Sequence, residues 1–184
     1  MAKRLENADA VINEMLHVRQ IRQYHPEPVP DELVHELLEV ARWSGSSRNT
    51  QPWHFIVITD KEQLKKVSDV RTTINWVAGA PLAIAIVLDG KNPINETFDE
   101  GRVTERLMIA ARLLGLGSGT AWFGDASQQA EAKAALGIPD EKLARSVVAI
   151  GYPVTSKDHR PNPSQGGRHP LSEIVSYDRY GAKP

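Results

Sequence analysis

The chain has 184 residues, a length typical of one domain, and 41% of them are hydrophobic, which is enough for a sizeable core. Its formal net charge of −1 argues against a dedicated binder of nucleic acid or anionic membranes, since such proteins are usually clearly basic. The absence of cysteine excludes disulfides, thiolate metal sites, catalytic thiols and cysteine-bound iron–sulfur clusters. No apolar segment marks a signal peptide, and no apolar run approaches the ~20 residues that span a bilayer. We therefore expect a cytoplasmic protein.

The first part of the chain is predicted to be helical. Residues 5–17 place apolar side chains on one helix face, and the prolines at 26, 28 and 30 then bar a continuous helix. Residues 31–43 predict a second helix, because acidic residues suit its first turn and an apolar stripe recurs at helical spacing. That stripe consists of Leu33, Val34, Leu37, Leu38 and Ala41.

Apolar runs predict the strands. Residues 55–59 and 146–150 are short apolar runs bounded by turn residues. Residues 81–88 form the longest continuous apolar run of the chain, which suits a central strand. Residues 118–123 could be a short strand or a loop.

Three further helices are predicted between these strands. A capping box at residues 59–62 should start a short helix that continues to about Val70, and residues 71–79 show no clear period. Residues 100–116 predict the longest helix, which we expect to be buried because it is apolar nearly all round. Residues 128–136 predict another helix, begun by Asp125 or Ser127.

Helices and strands interleave without an internal repeat, a low-complexity block or a domain linker. We therefore expect a single domain, residues 1–184, of the α/β or α+β class, with one layer of sheet wrapped by helices. Residues 155–169 are polar and contain Gly, Pro and Ser, which predicts an extended C-terminal arm beginning at about residue 155. Residues 171–177 predict a last helical turn.

Several standard sites are absent from the sequence. There is no G-x-S-x-G elbow, Walker loop or H-E-x-x-H motif, and the histidines at 17, 25, 35, 54, 159 and 169 have no metal-binding spacing. His54, at the start of a strand, is better explained as a structural imidazole. The glycines at 115–119 follow a helix and lack the G-x-G-x-x-G order, which excludes a Rossmann fingerprint. We predict no metal and name no catalytic acid or base.

The most informative stretch is residues 41–53, which separate the second helix from the first strand. Loops on a rigid scaffold often carry binding groups, although composition alone would also suit an ordinary surface turn. The order Ser-Ser-x-Asn-x-Gln-Pro-Trp, residues 46–53, closely resembles the signature of the flavin-dependent nitroreductase family, Pro-Ser-x-x-Asn-x-Gln-Pro-Trp. Gly45 replaces the family's proline. In that family the loop contacts the FMN of the other subunit, so the resemblance implies FMN contacts by Ser46, Ser47 and Asn49 and a homodimer.

A second resemblance lies at residues 18–24. Two arginines three residues apart, Arg19 and Arg22, could hold a phosphate, or could belong to a solvated charged turn. The segment aligns without a gap with the family's Arg-Arg-Ser-x-Arg-x-Phe, except that Val18 replaces the first arginine and Gln20 the serine. The resemblance implies that Arg19, Gln20 and Arg22 bind FMN. By the family pattern Arg22 approaches the pyrimidine edge, where positive charge stabilises the reduced flavin.

Further matches extend the resemblance to about residue 180. Residues 99–101 and 113–117 resemble the family's Asp-x-Gly helix that ends in Leu-Gly-Leu-Gly, and residues 166–171 resemble its C-terminal Arg-Lys-Pro-Leu. The latter match implies that Arg168 reaches the phosphate; without the family it would be an ordinary exposed arginine. Between residues 117 and 166, the resemblance implies that backbone amides of residues 120–124 meet the flavin N5 and O4. That expectation places Trp122, Phe123 and Gly124 in the cofactor site, although both aromatic side chains could equally be core.

The resemblance implies an FMN-dependent oxidoreductase with a central, mostly antiparallel sheet flanked by helices, built as an intertwined homodimer. Hydride would pass from NAD(P)H to flavin N5 and then to a small acceptor such as a nitroaromatic or quinone. Residues 70–81 and 89–100 leave little room for an insertion, so we expect a compact, open pocket with loose acceptor choice. The alternatives are a flavin-binding or sensory module without turnover, a specialised dehalogenase or enone reductase, and a structural protein that has lost the cofactor.

Overall fold

A four-stranded antiparallel sheet forms the centre of the fold. The computed structural model describes residues 4–154 and 167–182. By internal contacts the chain divides into two units, Met1–Val154 and Thr155–Pro184, and the sheet belongs to the first. The strands, in spatial order β1-β2-β4-β3, are β1 (Trp53–Ile58), β2 (Leu82–Leu88), β4 (Leu143–Gly151) and β3 (Gly117–Trp122).

β2 is the central strand, as the longest apolar run predicted, and all seven of its residues are buried. Alternate side chains point to opposite faces of a strand, so β2 supplies both halves of the core. Ala83, Ala85 and Val87 join one buried cluster, whereas Leu82, Ile84, Ile86 and Leu88 join another. The first cluster lies under α3 (Lys61–Asp69) and α5 (Ala126–Leu136), and the second under α2 (Asp31–Arg42) and α4 (Pro93–Leu113).

The predicted helices are present, with shifted ends. α1 (Ala8–Leu16) and α2 lie inside their predicted ranges. α3 is capped by Asp60, whose side chain accepts from the Gln63 amide, so its cap lies one residue later than the predicted capping box. α5 begins after Asp125, one of the two predicted starts, with a reciprocal capping box to Gln128. Residues 71–79, predicted without a period, contain a 3₁₀ helix, Thr72–Gly79.

The longest helix differs most from its prediction. α4 has 21 residues and begins at Pro93 rather than at residue 100, because Asn92 caps it and proline suits its first turn. The expectation that residues 100–116 are buried nearly all round is wrong, because Arg102, Glu105 and Arg106 are exposed and Leu113 is 49% exposed. Ile94 and Phe98 are 84% and 71% exposed, while three carboxylates of the same helix are buried: Glu96, Asp99 and Glu100.

The second unit is described over residues 167–182. It contains α6 (Leu171–Ile174), which is shorter than the turn predicted at 171–177 because the chain becomes extended at Val175. The greater part of the predicted arm, residues 155–166, lies outside the described residues. In the described ranges, no helix combines the length and the apolar character needed to cross a membrane.

Candidate functional site

The outer edge of β3 is where most of the predicted N-terminal site lies. Segment 18–24 runs along this edge, and the Ile21 amide donates to the Ser118 carbonyl over 2.8 Å. Gln20 extends the pairing through its side chain, because its Nε2 donates to Thr120 O at 2.7 Å and its Oε1 accepts from Thr120 N at 3.0 Å. Both polar atoms of the Gln20 amide are thus engaged by the strand, in the manner of an added strand residue.

Tyr24 holds this segment in place. Its hydroxyl donates to Ile21 O at 2.7 Å and lies 3.2 Å from the Ala149 carbonyl of β4. Burial raises the pKa of the Tyr24 phenol above its ordinary value, so it remains a donor at neutral pH. The His25 amide then donates to Tyr152 O, which continues the docking to the end of β4.

Arg22 presents a free guanidinium beside this edge. It is exposed, its Cζ lies 5.9 Å from the centre of the Trp76 ring, and among the described residues it makes no hydrogen bond or ion pair. The close approach requires Gly119, since a Cβ there would lie 2.2 Å from Ile21 O and 3.0 Å from Trp76. A cation supported by a ring, with its donors free, suits an anionic or carbonyl-bearing ligand.

Arg19 stands at the end of α1. Its Nη1 donates to the Leu16 and Val18 carbonyls, both at 2.7 Å, which fixes an exposed guanidinium on the C-terminal end of that helix. Arg19 is therefore oriented by backbone, whereas Arg22 is oriented by a ring.

Trp122 ends the open edge of β3. Residues alternate along an antiparallel strand, so its backbone N–H and C=O face the same side as those of Thr120. The carbonyl accepts from Arg71 Nη1 at 3.4 Å, and the Arg71 guanidinium lies 5.3 Å from the centre of the Trp122 ring. Trp122 is 53% exposed. Arg71 was missed from the sequence, because it begins a stretch with no period and no motif.

Phe123 and Gly124 differ from Trp122. Phe123 is fully buried and its amide donates to Arg145 O at 2.8 Å, which leaves neither its ring nor its N–H available to a ligand. The interpretation of its side chain as core is confirmed. Gly124 has a φ of +113°, and a Cβ there would lie 1.9 Å from Gln128 Oε1, so only glycine fits this link to α5.

The loop that contains Ser46, Ser47 and Asn49 lies against α4. It includes a 3₁₀ turn, Ser47–Asn49, and three of its non-glycine residues have left-handed backbone: Arg48, Asn49 and Gln51. The Ser46 hydroxyl accepts from the Gln51 amide at 2.8 Å. The Ser47 amide donates to Asp99 Oδ2 at 3.0 Å, and Asn49 is exposed.

These two groups of predicted residues remain separate in one chain. Among residues 4–154, no hydrogen bond or ion pair joins the loop to segment 18–24 or to β3. Arg168 belongs to the second unit, where it is exposed shortly before α6. The structure thus brings Gln20, Arg22 and Trp122 together at one strand edge and places the serines elsewhere.

A cleft of about 960 Å³ opens between the start of the loop and α4. Trp43 and Phe98 form apolar walls, and Arg102 lies over the Phe98 ring with 6.0 Å between Cζ and the ring centre. Arg106 donates to the Trp43 carbonyl. No sequence pattern indicates this cleft, since the helical pattern predicts a start only at residue 100 whereas α4 begins at Pro93.

Comparisons with known proteins agree with this geometry. The sequence profile described as Nitroreductase family matches residues 18–92, which include both arginines and the loop. A protein of Archaeoglobus fulgidus, provisionally named NADH dehydrogenase/NAD(P)H nitroreductase, is 37% identical over 147 residues, or 76% of this chain and 83% of that protein. The chain belongs to the nitroreductase family.

Solved structures of nitroreductases have the same fold. An FMN-dependent nitroreductase from Clostridium difficile matches with a TM-score of 0.80 at 26% identity, over 92% of this chain and 99% of that one. A provisionally named nitroreductase from Desulfovibrio desulfuricans, solved in complex with FMN, matches with a TM-score of 0.72 at 28% identity, over 87% and 96%. The predicted family and the α+β fold, an antiparallel sheet flanked by helices, are confirmed.

Proposed function

We propose that this nitroreductase-family protein is an FMN-dependent oxidoreductase that carries hydride from NAD(P)H to a small acceptor such as a nitroaromatic or a quinone. The observation that carries the proposal is the exposed Arg22 guanidinium, which lies over the Trp76 ring beside the edge of β3 and has no hydrogen bond or ion pair to any other described residue. FMN, when bound, supplies the hydride-transfer chemistry, and the protein supplies position and charge.

The residues at the β3 edge fit FMN. A flavin has a flat aromatic part, a polar edge and an anionic phosphate. The exposed Trp122 ring suits the first, the outward Trp122 N–H at the edge of β3 suits the second, and exposed arginines suit the third. We propose Arg19 and Arg168 for the phosphate, Arg22 for the pyrimidine edge, and backbone near Trp122 and Gly124 for the flavin ring. Gln20 supports the site through β3, and Arg71 adds a second cation beside Trp122.

The same proposal includes a homodimer with FMN at its interface. Within residues 4–154, no hydrogen bond joins Ser46, Ser47 or Asn49 to the edge of β3 beside Arg22. A site that is completed by this loop from a second subunit requires such a separation within one chain. Three exposed apolar residues that line one cleft also support an interface at this surface: Ile94, Phe98 and Trp43. We propose one FMN-binding domain over residues 1–184, with residues from about 155 as an arm.

An absorption spectrum of the purified protein, recorded before and after anaerobic NADH and then NADPH, tests the function. Flavin bands that bleach with either donor are expected. Protein that remains colourless after incubation with FMN would refute the proposal. Bands that persist with both donors would favour a flavin-binding module without turnover. Oxidation of NAD(P)H after addition of a quinone would then distinguish the enzyme from such a module, because a binding module does not oxidise NAD(P)H.

Loose acceptor choice is part of the same proposal, because residues 70–81 and 89–100 leave little room for an insertion that would close the pocket. Rates with a quinone, a nitroaromatic, an enone and a halogenated phenol should therefore differ little from one another. A strong preference for the enone or the halogenated phenol would instead identify a specialised reductase or dehalogenase. We also propose a cytoplasmic location, where NAD(P)H is available, which cell fractionation tests.

A further inference from the structure

Three buried carboxylates on α4 each bind a different segment of the chain. Glu96 accepts from the Gly90 and Asn92 amides at 2.7 and 2.9 Å, and so holds the turn before the helix. Glu100 accepts from the Ser146 hydroxyl of β4 at 2.6 Å. Asp99, which is 1% exposed, accepts from the Ser47 amide. Because a buried carboxylate is costly unless it is paired, each of these bonds should have a structural consequence.

The segment that Asp99 holds has an unusual backbone. In the loop 46–51, Arg48, Asn49 and Gln51 have φ values of +53°, +56° and +48°, a region that side-chain-bearing residues rarely adopt. Such conformations persist where the surroundings over-determine them. Within the described residues, two bonds reach this loop from outside it. One comes from buried Asp99, and the other is a 3.4 Å contact from the exposed Asn95 amide to the Ser47 hydroxyl.

Gly45 and Arg102 explain how Asp99 is accommodated. Arg102 Nη1 lies 3.5 Å from Asp99 Oδ1, which supplies a weak, half-exposed ion pair to the buried carboxylate. A Cβ on residue 45 would lie 2.6 Å from Arg102 Nη2. The glycine that replaces the proline of the family signature therefore leaves space for the guanidinium beside Asp99.

We propose that Asp99 is a positioning residue, which holds the Ser47 amide and thereby keeps the loop 46–51 in the conformation that presents Ser46 and Asn49 to FMN. This inference rests on the proposed function. If the loop is competent in only a fraction of molecules, the apparent dissociation constant rises by the inverse of that fraction. Loss of the Asp99 bond should therefore weaken FMN binding without removing any predicted FMN contact.

The test compares Asp99→Ala with Asp99→Asn and with Glu96→Ala. Glu96 is the matched control, since it is equally buried on the same helix but binds a different turn. Asp99→Ala should raise the dissociation constant of FMN by about tenfold or more, whereas Glu96→Ala should change it by less than about threefold. Asp99→Asn keeps an acceptor oxygen at the same place, so its dissociation constant for FMN should stay close to that of the parent protein. Asp99→Ser, whose hydroxyl ends one atom short, replaces Asp99→Ala if that variant does not fold.

Hydrogen exchange of the apoprotein supplies a readout that does not depend on FMN. Amides 47–51 should exchange faster in Asp99→Ala than in the parent or in Glu96→Ala. Equal exchange and equal FMN affinity in the two alanine variants would overturn the inference, as would failure of Asp99→Asn to restore both. If the parent protein does not bind FMN, the proposed function fails, while the exchange comparison still decides whether Asp99 holds the loop.

Discussion

Arg22 is the residue whose replacement should affect cofactor binding most directly. Its guanidinium has no bond among the described residues, so its removal leaves no protein group without a partner. A hydrogen bond to a charged group contributes about 1.5–3 kcal/mol, so Arg22→Ala should weaken FMN binding by roughly ten- to a hundredfold. The FMN affinity of Arg22→Lys should lie between those of the parent and Arg22→Ala, because lysine keeps the charge but lacks the planar guanidinium. Quenching of flavin fluorescence during titration of the apoprotein measures both.

Lys65→Ala is the matched control for Arg22. Lys65 is an exposed cation on α3 that pairs with Asp69, and its loss should leave FMN affinity unchanged. Equal weakening by Arg22→Ala and Lys65→Ala would mean that Arg22 acts only through the overall charge.

Phe123 and Trp122 are neighbours with opposite roles. Phe123→Ala should lower the free energy of unfolding by about 3–5 kcal/mol, since its fully buried ring would leave a cavity. Trp122→Ala should cost about 1 kcal/mol or less, because its ring is half exposed, but should weaken FMN binding. Urea unfolding of the two apoproteins provides the comparison. Similar losses of stability in the two variants would contradict this assignment.

Some of these roles are readable from the sequence and others depend on packing. Arg19, Arg22 and the loop serines stand in contiguous motifs, which the sequence displays directly. Which of Trp122 and Phe123 faces outward depends on the register of β3 against β4, and a shift of one residue would exchange them. Arg71 reaches the site only through its packing on Trp122, so no local pattern indicates it.

Among the elements, β2 and α2 were predicted well because their apolar patterns match their burial. The start of α4 was missed because residues 93–99 mix exposed apolar side chains with buried acidic ones, the reverse of the usual pattern. Its one local signal was Asn92 followed by Pro93, a cap and a favoured first residue. The left-handed backbone of Arg48 and Asn49 was unpredictable, since tertiary bonds rather than glycine impose it.

An ion pair links the end of β2 to the start of β4. Lys142 Nζ lies 2.8 Å from Asp89 Oδ1, a hydrogen bond that holds the pKa of Asp89 below its ordinary value and raises the pKa of Lys142. A lowered carboxyl pKa stabilises the fold above the unfolded-state pKa, and that stability is lost as the pH falls through the folded-state value. Asp89→Asn should therefore reduce the free energy of unfolding at neutral pH. It should have little effect at a pH below both the folded-state and the unfolded-state pKa of Asp89.

Urea unfolding across the acidic range measures this dependence. Asp140→Asn is the control, since Asp140 is an exposed neighbour without an ion pair in the described part of the chain. A loss in Asp89→Asn that stays constant down to strongly acidic pH would show that the carboxylate charge is not its cause.

At the scale of the whole molecule, the apolar side of α4 predicts self-association. Phe98 is 71% exposed, and a charge in its place should be tolerated by a monomer and costly in a buried interface. Phe98→Glu should therefore convert the proposed dimer to a monomer in sedimentation velocity. Val57→Glu, on the exposed side of β1, should leave the dimer intact. A Phe98→Glu protein that remains dimeric would exclude this surface as the interface.

The pairing of Gln20 with Thr120 also determines the order in which the molecule can be built. The two residues are 100 positions apart, so the arginine-bearing segment must wait for β3, and β3 itself lacks a partner until β4 is made. Contacts of such long range form late, because the closure of a long loop is entropically unfavourable. During synthesis the segment that carries Arg19 and Arg22 leaves the ribosome before its strand does, and it can pair with a completed β3 edge only after β4, which ends at Gly151, has been made.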